Sequence, residues 1–463
     1  MATGSPARGR AILGVACAGM FMTQLDSTLV NVALGAVKSE FSAPTTTVTW
    51  VVDAYLVTFA ASLLGLGVLG DRLGRKRTYL TGLALFAATS AGCTLVPGIG
   101  WLIALRAGQG VAAACVLVTS LAVLLDWFAA EDRPRVIGWW AAVAGISLAV
   151  GPVLGGVIVD GLGWRWVFWL HAPVALLGLA LGPRTLRESY GPRRPLDWRG
   201  QLLAAAALAS LTWGITTGAG SGWTRPLPLL LLTLAPLLAG AFVLVESRST
   251  APLVPLHLFR SHRFAATNLA AALVSFGTMG LLFLISAYMV QIAVGSATAA
   301  GLSIVPLFVA HGLASPFSGT LQKRWGSRIV TAVGCALAAA STWCVAASLG
   351  NRPVMTVALL TCGAGVGVGM SALVAAAVAA APADAAGLAS GLNNTARQMG
   401  SSVAVALLGG LIAAATTPRD GVRLALAVDG TAYLLAAALT LSLRKTHASR
   451  IIDAPVNCED HVA

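Results

Sequence analysis

The 463-residue chain is 57% hydrophobic and only 10% charged, with a mean hydropathy of +0.82. Soluble domains carry about 25% charged residues, so the composition excludes a water-soluble fold and predicts an all-α polytopic membrane protein. A net charge of +13 would point to nucleic acid in a soluble chain, but here the basic residues fall in short loops, where they set orientation across a bilayer.

At about 20 apolar residues per crossing, fourteen spans are predicted. They fall at roughly 11–34, 49–69, 78–96, 100–124, 136–159, 165–183, 200–219, 227–245, 265–290, 297–318, 329–349, 353–378, 387–413 and 421–443. Arg8 and Arg10 ahead of Ala11–Met22 could pass for a signal peptide, yet the apolar stretch runs on too long and reads as an uncleaved first span. Of the 30 basic residues, 22 fall on the side of the N-terminus and six on the other, with Arg106 and Arg397 inside spans. The positive-inside rule makes the first side cytoplasmic, and an even count puts both termini there.

Span 1 carries Asp26 well inside an apolar run. A charge at that depth costs several kcal/mol unless it is paired, wetted or protonated, so the rest of the chain is expected to give Asp26 a partner, a cavity and a moving wall. Gln24, Thr28 and Asn31 form a second polar stripe roughly 160–220° away on the helical wheel, which leaves open the face that lines a cavity. Span 2 brings Asp53, either a functional acid or a solvated residue paired with Lys38. After span 2 comes Gly67-Val-Leu-Gly-Asp71-Arg72-Leu-Gly74-Arg75-Lys76. Its glycines permit a tight turn, and Asp71 can bind an arginine or a helix start; a purely orienting basic loop would need the arginines but not Asp71.

In span 4, Arg106, Gln109 and Gly110 share one helical face, and an intramembrane arginine is a functional candidate unless it snorkels. Span 5 holds Gly151, Pro152, Gly155 and Gly156; small residues let helices approach closely, and Pro152 withholds a backbone donor. Span 6 begins Trp164-Arg165-Trp166-Val167-Phe168 and carries His171, either a titrating group or a hydrogen-bonded packing residue. In span 9, Phe276, Met279, Phe283 and Tyr288 are candidate pocket residues with Asn31, although such a stripe also suits packing or lipid contact. Gly319-Thr-Leu-Gln-Lys323-Arg324-Trp-Gly326 follows span 10 in the register of the earlier loop. Spans 1–6 then match spans 9–14, with spans 7 and 8 inserted, and paired halves around a central site are a transporter architecture.

At about 1.5 Å per residue, Asp26, Asp53, Arg106, His171 and Asp429 all come out in the outer third of their spans. The first four could form one cluster. Arg106 cannot fully neutralise two carboxylates in a low-dielectric site, so one of them is expected to carry a proton, with Asp26 as the carrier and Arg106 modulating it. The seven cysteines show no CxxC or Cys/His cluster, so neither a disulfide framework nor a metal site is expected. No P-loop occurs, and no cofactor is expected.

The Leu25–Leu34 and Gly67–Arg77 stretches closely resemble the major facilitator superfamily, specifically its fourteen-span drug:proton antiporters. The resemblance extends to Arg106–Gly110, to the Gly151–Gly156 glycine-proline pattern that marks antiporters, to Trp164–Phe168, to Leu196–Gly200 and to Gly387–Gly400. It implies two six-helix bundles at 1–183 and 265–443, an inserted pair at 184–264 and a cytoplasmic tail at 444–463. By this resemblance, Gly67, Asp71, Arg72, Gly74 and Arg75 latch the halves in one state, with Asp71 near Gly387–Asn394, and Arg106 is tied to proton transfer. Two departures stand out: His171 replaces an asparagine, and Gly35 a proline.

The expectation is a monomeric bacterial inner-membrane exporter, driven by the proton gradient, of small lipophilic and sometimes cationic drugs or antibiotics. The alternatives are a dedicated exporter of one endogenous metabolite and an intramembrane lipid-modifying enzyme. No nucleic acid, catalytic residue or metal is expected.

Overall fold

The computed structural model describes residues 6–129, 132–191, 197–249, 252, 254–291, 296–381 and 386–443. The expected tail at 444–463, Arg193, Arg194 and Leu196 lie outside these residues. A chain this apolar, placed in lipid, must satisfy its backbone within each segment, which leaves helices as the available solution. In order they are α1 (Pro6–Phe41), α2 (Thr45–Leu73), α3 (Arg75–Thr94), α4 (Ile99–Trp127), α5 (Arg133–Leu162), α6 (Arg165–Trp169) and α7 (His171–Thr185). There follow α8 (Trp198–Ser221), α9 (Pro226–Arg248), α10 (His262–Gln291), α11 (Ala297–Ala314), α12 (Ser318–Ala347), α13 (Arg352–Ala379), α14 (Ala386–Ala414) and α15 (Pro418–Ser442). No strand forms among the described residues.

Eleven segments are long and apolar enough to cross a membrane, fewer than the fourteen expected. α3 and α8 are not among the eleven, and Ala297–Ala347 counts as one segment. That last segment is two rods, because Gly326 breaks the helical path with φ +77° and ψ 154°. Gly74 separates α2 from α3 in the same way, at φ +110° and ψ 129°. Each break lies seven residues after the first glycine of its loop, in backbone space that side chains with a Cβ avoid. The sequence repeat is therefore a repeat of backbone geometry, although Gly67 itself is helical and only the last glycine of each motif turns the chain.

Two further boundaries differ from expectation. α1 continues to Phe41, seven residues beyond the predicted end, and span 6 divides into α6 and α7 at Leu170, whose own backbone stays helical at φ −56° and ψ −28°.

The packing is pseudo-symmetric. In the first half α2 and α3 lie on α4, α1 on α5, and α7 on α1 and α3. In the second half α11 and α12 lie on α13, α10 on α14, and α15 on α10 and α12. The halves meet through α5–α11 and α2–α14, which exchange under the repeat, and through α1–α10, which maps onto itself. α8 packs against both α2 and α14, while α9 packs mainly on α8.

Candidate functional site

Asp26 finds its partner on α4. Arg106 Nη1 lies 2.6 Å from Asp26 Oδ2, and both side chains are almost fully removed from the surface. The guanidinium is held from three more directions. Its Nε donates to the Val51 carbonyl at 2.8 Å, its Nη1 also donates to Gln109 Oε1 at 2.7 Å, and its face lies 4.4 Å from the centre of the Tyr55 ring. Gln109 in turn donates to Ser90 Oγ of α3 at 2.7 Å, and Tyr55 donates to the Thr23 carbonyl at 3.1 Å. Helix spacing accounts for the arrangement: Arg106 and Gln109 lie three apart on α4, and Val51 and Tyr55 lie four apart on α2.

The second oxygen of Asp26 has no hydrogen-bond partner; His171 Nε2 stands 3.7 Å from it. Neither ring nitrogen of His171 has a partner among the described residues, and Phe86 packs edge-on against the imidazole at 5.3 Å. His171 occupies the first position of α7, and α7 packs against α1 and α3. Three expected members of the cluster thus meet in the core of the first half, with one acceptor oxygen and two ring nitrogens left open.

Asp53 does not join them. It is fully buried and neither oxygen is hydrogen-bonded, but it shares a face with Trp50, Val57 and Ala60, opposite Val51 and Tyr55. That face packs on Leu208 and Trp213 of α8 and on Val403 of α14. The expectation of a four-membered cluster therefore fails for Asp53: similar depth brought it near the right plane, while helix rotation turned it to the seam between the halves. Asp429 is also fully buried, but in the second half.

Asn31 lies on the other side of α1. It lines a cavity at the seam with Leu34, Gly35 and Lys38 of α1, Thr45, Val48 and Thr49 of α2, and Phe283, Ser286 and Ala287 of α10. The Asn31 side of α1 thus faces the partner half, and the Asp26 side faces the interior of its own bundle. Of the candidate pocket residues, Asn31 and Phe283 line this cavity; Phe276 and Tyr288 are buried and Met279 half-buried elsewhere. Lys38 donates to Thr45 Oγ1 at 2.9 Å and does not pair with Asp53.

The basic loop is tied to its own half. Asp71 Oδ1 pairs with Arg75 at 2.8 Å, Arg75 Nη1 reaches Asp126 at 2.5 Å, and Ser189 Oγ donates to Asp126 at 2.6 Å. Glu188 accepts from the Lys76 and Arg77 amides at the start of α3. The expected approach of Asp71 to Gly387–Asn394 is absent from these bonds: in this conformation its carboxylate is taken by Arg75.

The glycine-proline motif sits at the other seam. Gly151 and Gly155 let α1 lie against α5, and Gly156 and Gly301 let α11 approach it: a Cβ on Gly156 would lie 2.5 Å from the Ala297 carbonyl oxygen, and one on Gly301 would run into the Pro152 carbonyl. Beside this contact, Asp160 of α5 accepts from the Ala297 and Thr298 amides at 3.0 and 2.8 Å. A carboxylate on orphan amides at a positive helix end is a stabilising pairing, and it clasps the two halves directly. The sequence signal was present, an acid at the end of span 5, but its partner is backbone and leaves no mark in side-chain patterns.

The other motifs are structural. Arg165 and Trp164 bind Glu40 at 2.5 and 2.6 Å, and Asp197 caps α8 by accepting from Gly200 N at 2.8 Å. Among the described residues no group of His, Cys, Asp and Glu is placed to hold a metal ion.

The model of the Major Facilitator Superfamily matches residues 16–405. The multidrug resistance protein Stp of Mycobacterium tuberculosis is 35% identical over 399 residues, 86% of this chain and 74% of that protein. The tetracenomycin C resistance and export protein of Streptomyces glaucescens is 33% identical over 463 residues, 96% of this chain and 86% of the relative. The methylenomycin A resistance protein of Streptomyces coelicolor is 31% identical over 420 residues, 90% and 88%. Among solved structures, the xylose transporter XylE from E. coli superposes with a TM-score of 0.66 at 13% identity, covering 95% of this chain and all of that one. A bacterial homologue of the lysosomal transporter Spinster gives 0.67 at 13%, covering 95% and 97%.

Proposed function

Since this chain belongs to the major facilitator superfamily, we propose that it exports lipophilic drugs or antibiotics from the cytoplasm in exchange for protons. Membership makes it a membrane transporter and retires the lipid-modifying enzyme. The resistance and efflux names of its relatives support drug export. The proton half of the proposal rests on one observation, the buried Asp26–Arg106 pair with His171 beside its open oxygen.

In the proposed cycle fourteen spans rock as two halves around the seam, in a bacterial inner membrane with both termini in the cytoplasm. Asp26 exchanges a proton, Arg106 lowers the cost of its charged form, and His171 shares the proton across the 3.7 Å gap. Asp53, buried without a partner at the α2–α14 seam, is a further acid that this movement would expose. No cofactor takes part; the proton gradient supplies the energy, and a monomer suffices. Asp71, now paired with Arg75, is proposed to latch the second half when the cytoplasmic side closes.

A narrower version is favoured by two relatives named for resistance to single compounds: an exporter dedicated to one metabolite. A toxic-compound resistance screen in an efflux-deficient host, with and without a protonophore, separates the two. Protection against many compounds, lost with the protonophore, is the expected result. Protection against one supports the narrow version, and protection that survives the protonophore removes proton coupling.

A further inference from the structure

The second half holds a buried acid that no step above uses. Asp429 of α15 is fully enclosed, and neither of its oxygens has a hydrogen-bond partner among the described residues. One oxygen rests against Gly280 of α10, where any Cβ would collide with it. The groups facing it are few. On its own helix, one turn on, is Tyr433, whose hydroxyl bonds Thr278 Oγ1 of α10 at 3.1 Å. α13 contributes the Cys362 thiol, beside Thr342 of α12 and Tyr433, with Cys335 of α12 behind it. α10 and α14 offer Gly280 and Leu408, neither titratable. No lysine, arginine or histidine among the described residues pairs with it.

The repeat gives this position its meaning. In the first half the carboxylate lies between the first and sixth spans, at the Asp26–His171 contact, and the fourth span supplies Arg106. In the second half a carboxylate again lies between the corresponding helices, α10 and α15, and the helix matching α4, α13, supplies a thiol instead of a cation. Asp26 has the Arg106 guanidinium 2.6 Å away, whereas Asp429 has no cation against it among the described residues. A lone carboxylate in a low-dielectric interior is costly, and a proton is the neutralising partner left to Asp429 by the groups around it.

We propose that Asp429 is a proton-binding site of the C-terminal half, the counterpart there of the Asp26 site, loaded in the conformation described and unloaded when the halves move. Its use in transport rests on the exchanger proposed above; its protonation does not.

Infrared spectroscopy of the full-length protein in lipid, at neutral pH, tests this. The wild type is expected to show a protonated-carboxyl C=O component that is lost in Asp429→Asn, kept in Asp26→Asn, and moved in Asp429→Glu, which guards against a folding defect in the amide variant. Transfer to D2O is expected to shift that component on the timescale of conformational exchange. A spectrum unchanged by Asp429→Asn overturns the assignment. A component that is present but never exchanges its proton makes Asp429 a structural acid and overturns the proposal. If the wild type moves no protons against any exported compound while the exchanging component remains, the exchanger fails and the site stands.

Discussion

At the scale of single residues, the energetics of the core turn on one ion pair. Arg106 satisfies Asp26, Gln109 and the Val51 carbonyl together, so its removal strands a buried carboxylate. Breaking a buried pair from one side costs about 3–5 kcal/mol, and Arg106→Ala should lower thermal stability in detergent by that order. Asp26→Asn keeps the shape and removes the charge; it should fold and abolish pH-gradient-driven export in vesicles, and full export by that variant would remove the carrier assignment. His171→Asn asks whether the imidazole shares the proton: a pH profile of export identical to wild type would leave Asp26 to act alone. The sequence made Asp26, Arg106 and Gln109 legible, because an unpaired charge in lipid is too expensive to be incidental and their spacing put two of them on one face. Tyr55, Ser90 and the Val51 carbonyl were not legible, since a ring face, a hydroxyl and a backbone oxygen become partners only once the rotation of α2 and α3 is fixed. The same rotation separated Asp53 from the cluster that depth alone predicted.

At the scale of elements, the turns after α2 and within α12 carry the repeat. Gly326 sits in open space, so Gly326→Ala tests backbone strain without a steric clash. It should cost about 1–3 kcal/mol, read as a drop in melting temperature, and a neutral result would mean that the backbone reaches an ordinary conformation there at no cost. This part of the fold was legible, because two loops in one register announce a duplicated unit. The run of α1 to Phe41 was not, since helix can continue past the end of an apolar stretch.

At the scale of the whole molecule, the halves touch in two pseudo-equivalent seams, and one is clasped by Asp160. That residue is solvent-exposed, so its two charge-assisted hydrogen bonds to the start of α11 are together worth about 1 kcal/mol. Asp160→Asn should therefore shift the molecule out of the conformation in which α5 and α11 are closed. An Asn31→Cys reporter in the seam cavity should then be alkylated from outside about fivefold faster, since about 1 kcal/mol is a factor of about five. Equal rates with and without the substitution would show that packing at Gly156 and Gly301 holds the seam alone. The inserted pair breaks the equivalence of the seams. α8 runs along α2 and α14 and shields that junction, with α9 outside it, whereas among the described residues no helix packs across the α5–α11 junction in the same way. Seen from within the bilayer, the molecule therefore has a walled flank and a bare one, and a hydrophobic compound dissolved in lipid meets two unlike surfaces on a body whose two halves are otherwise copies.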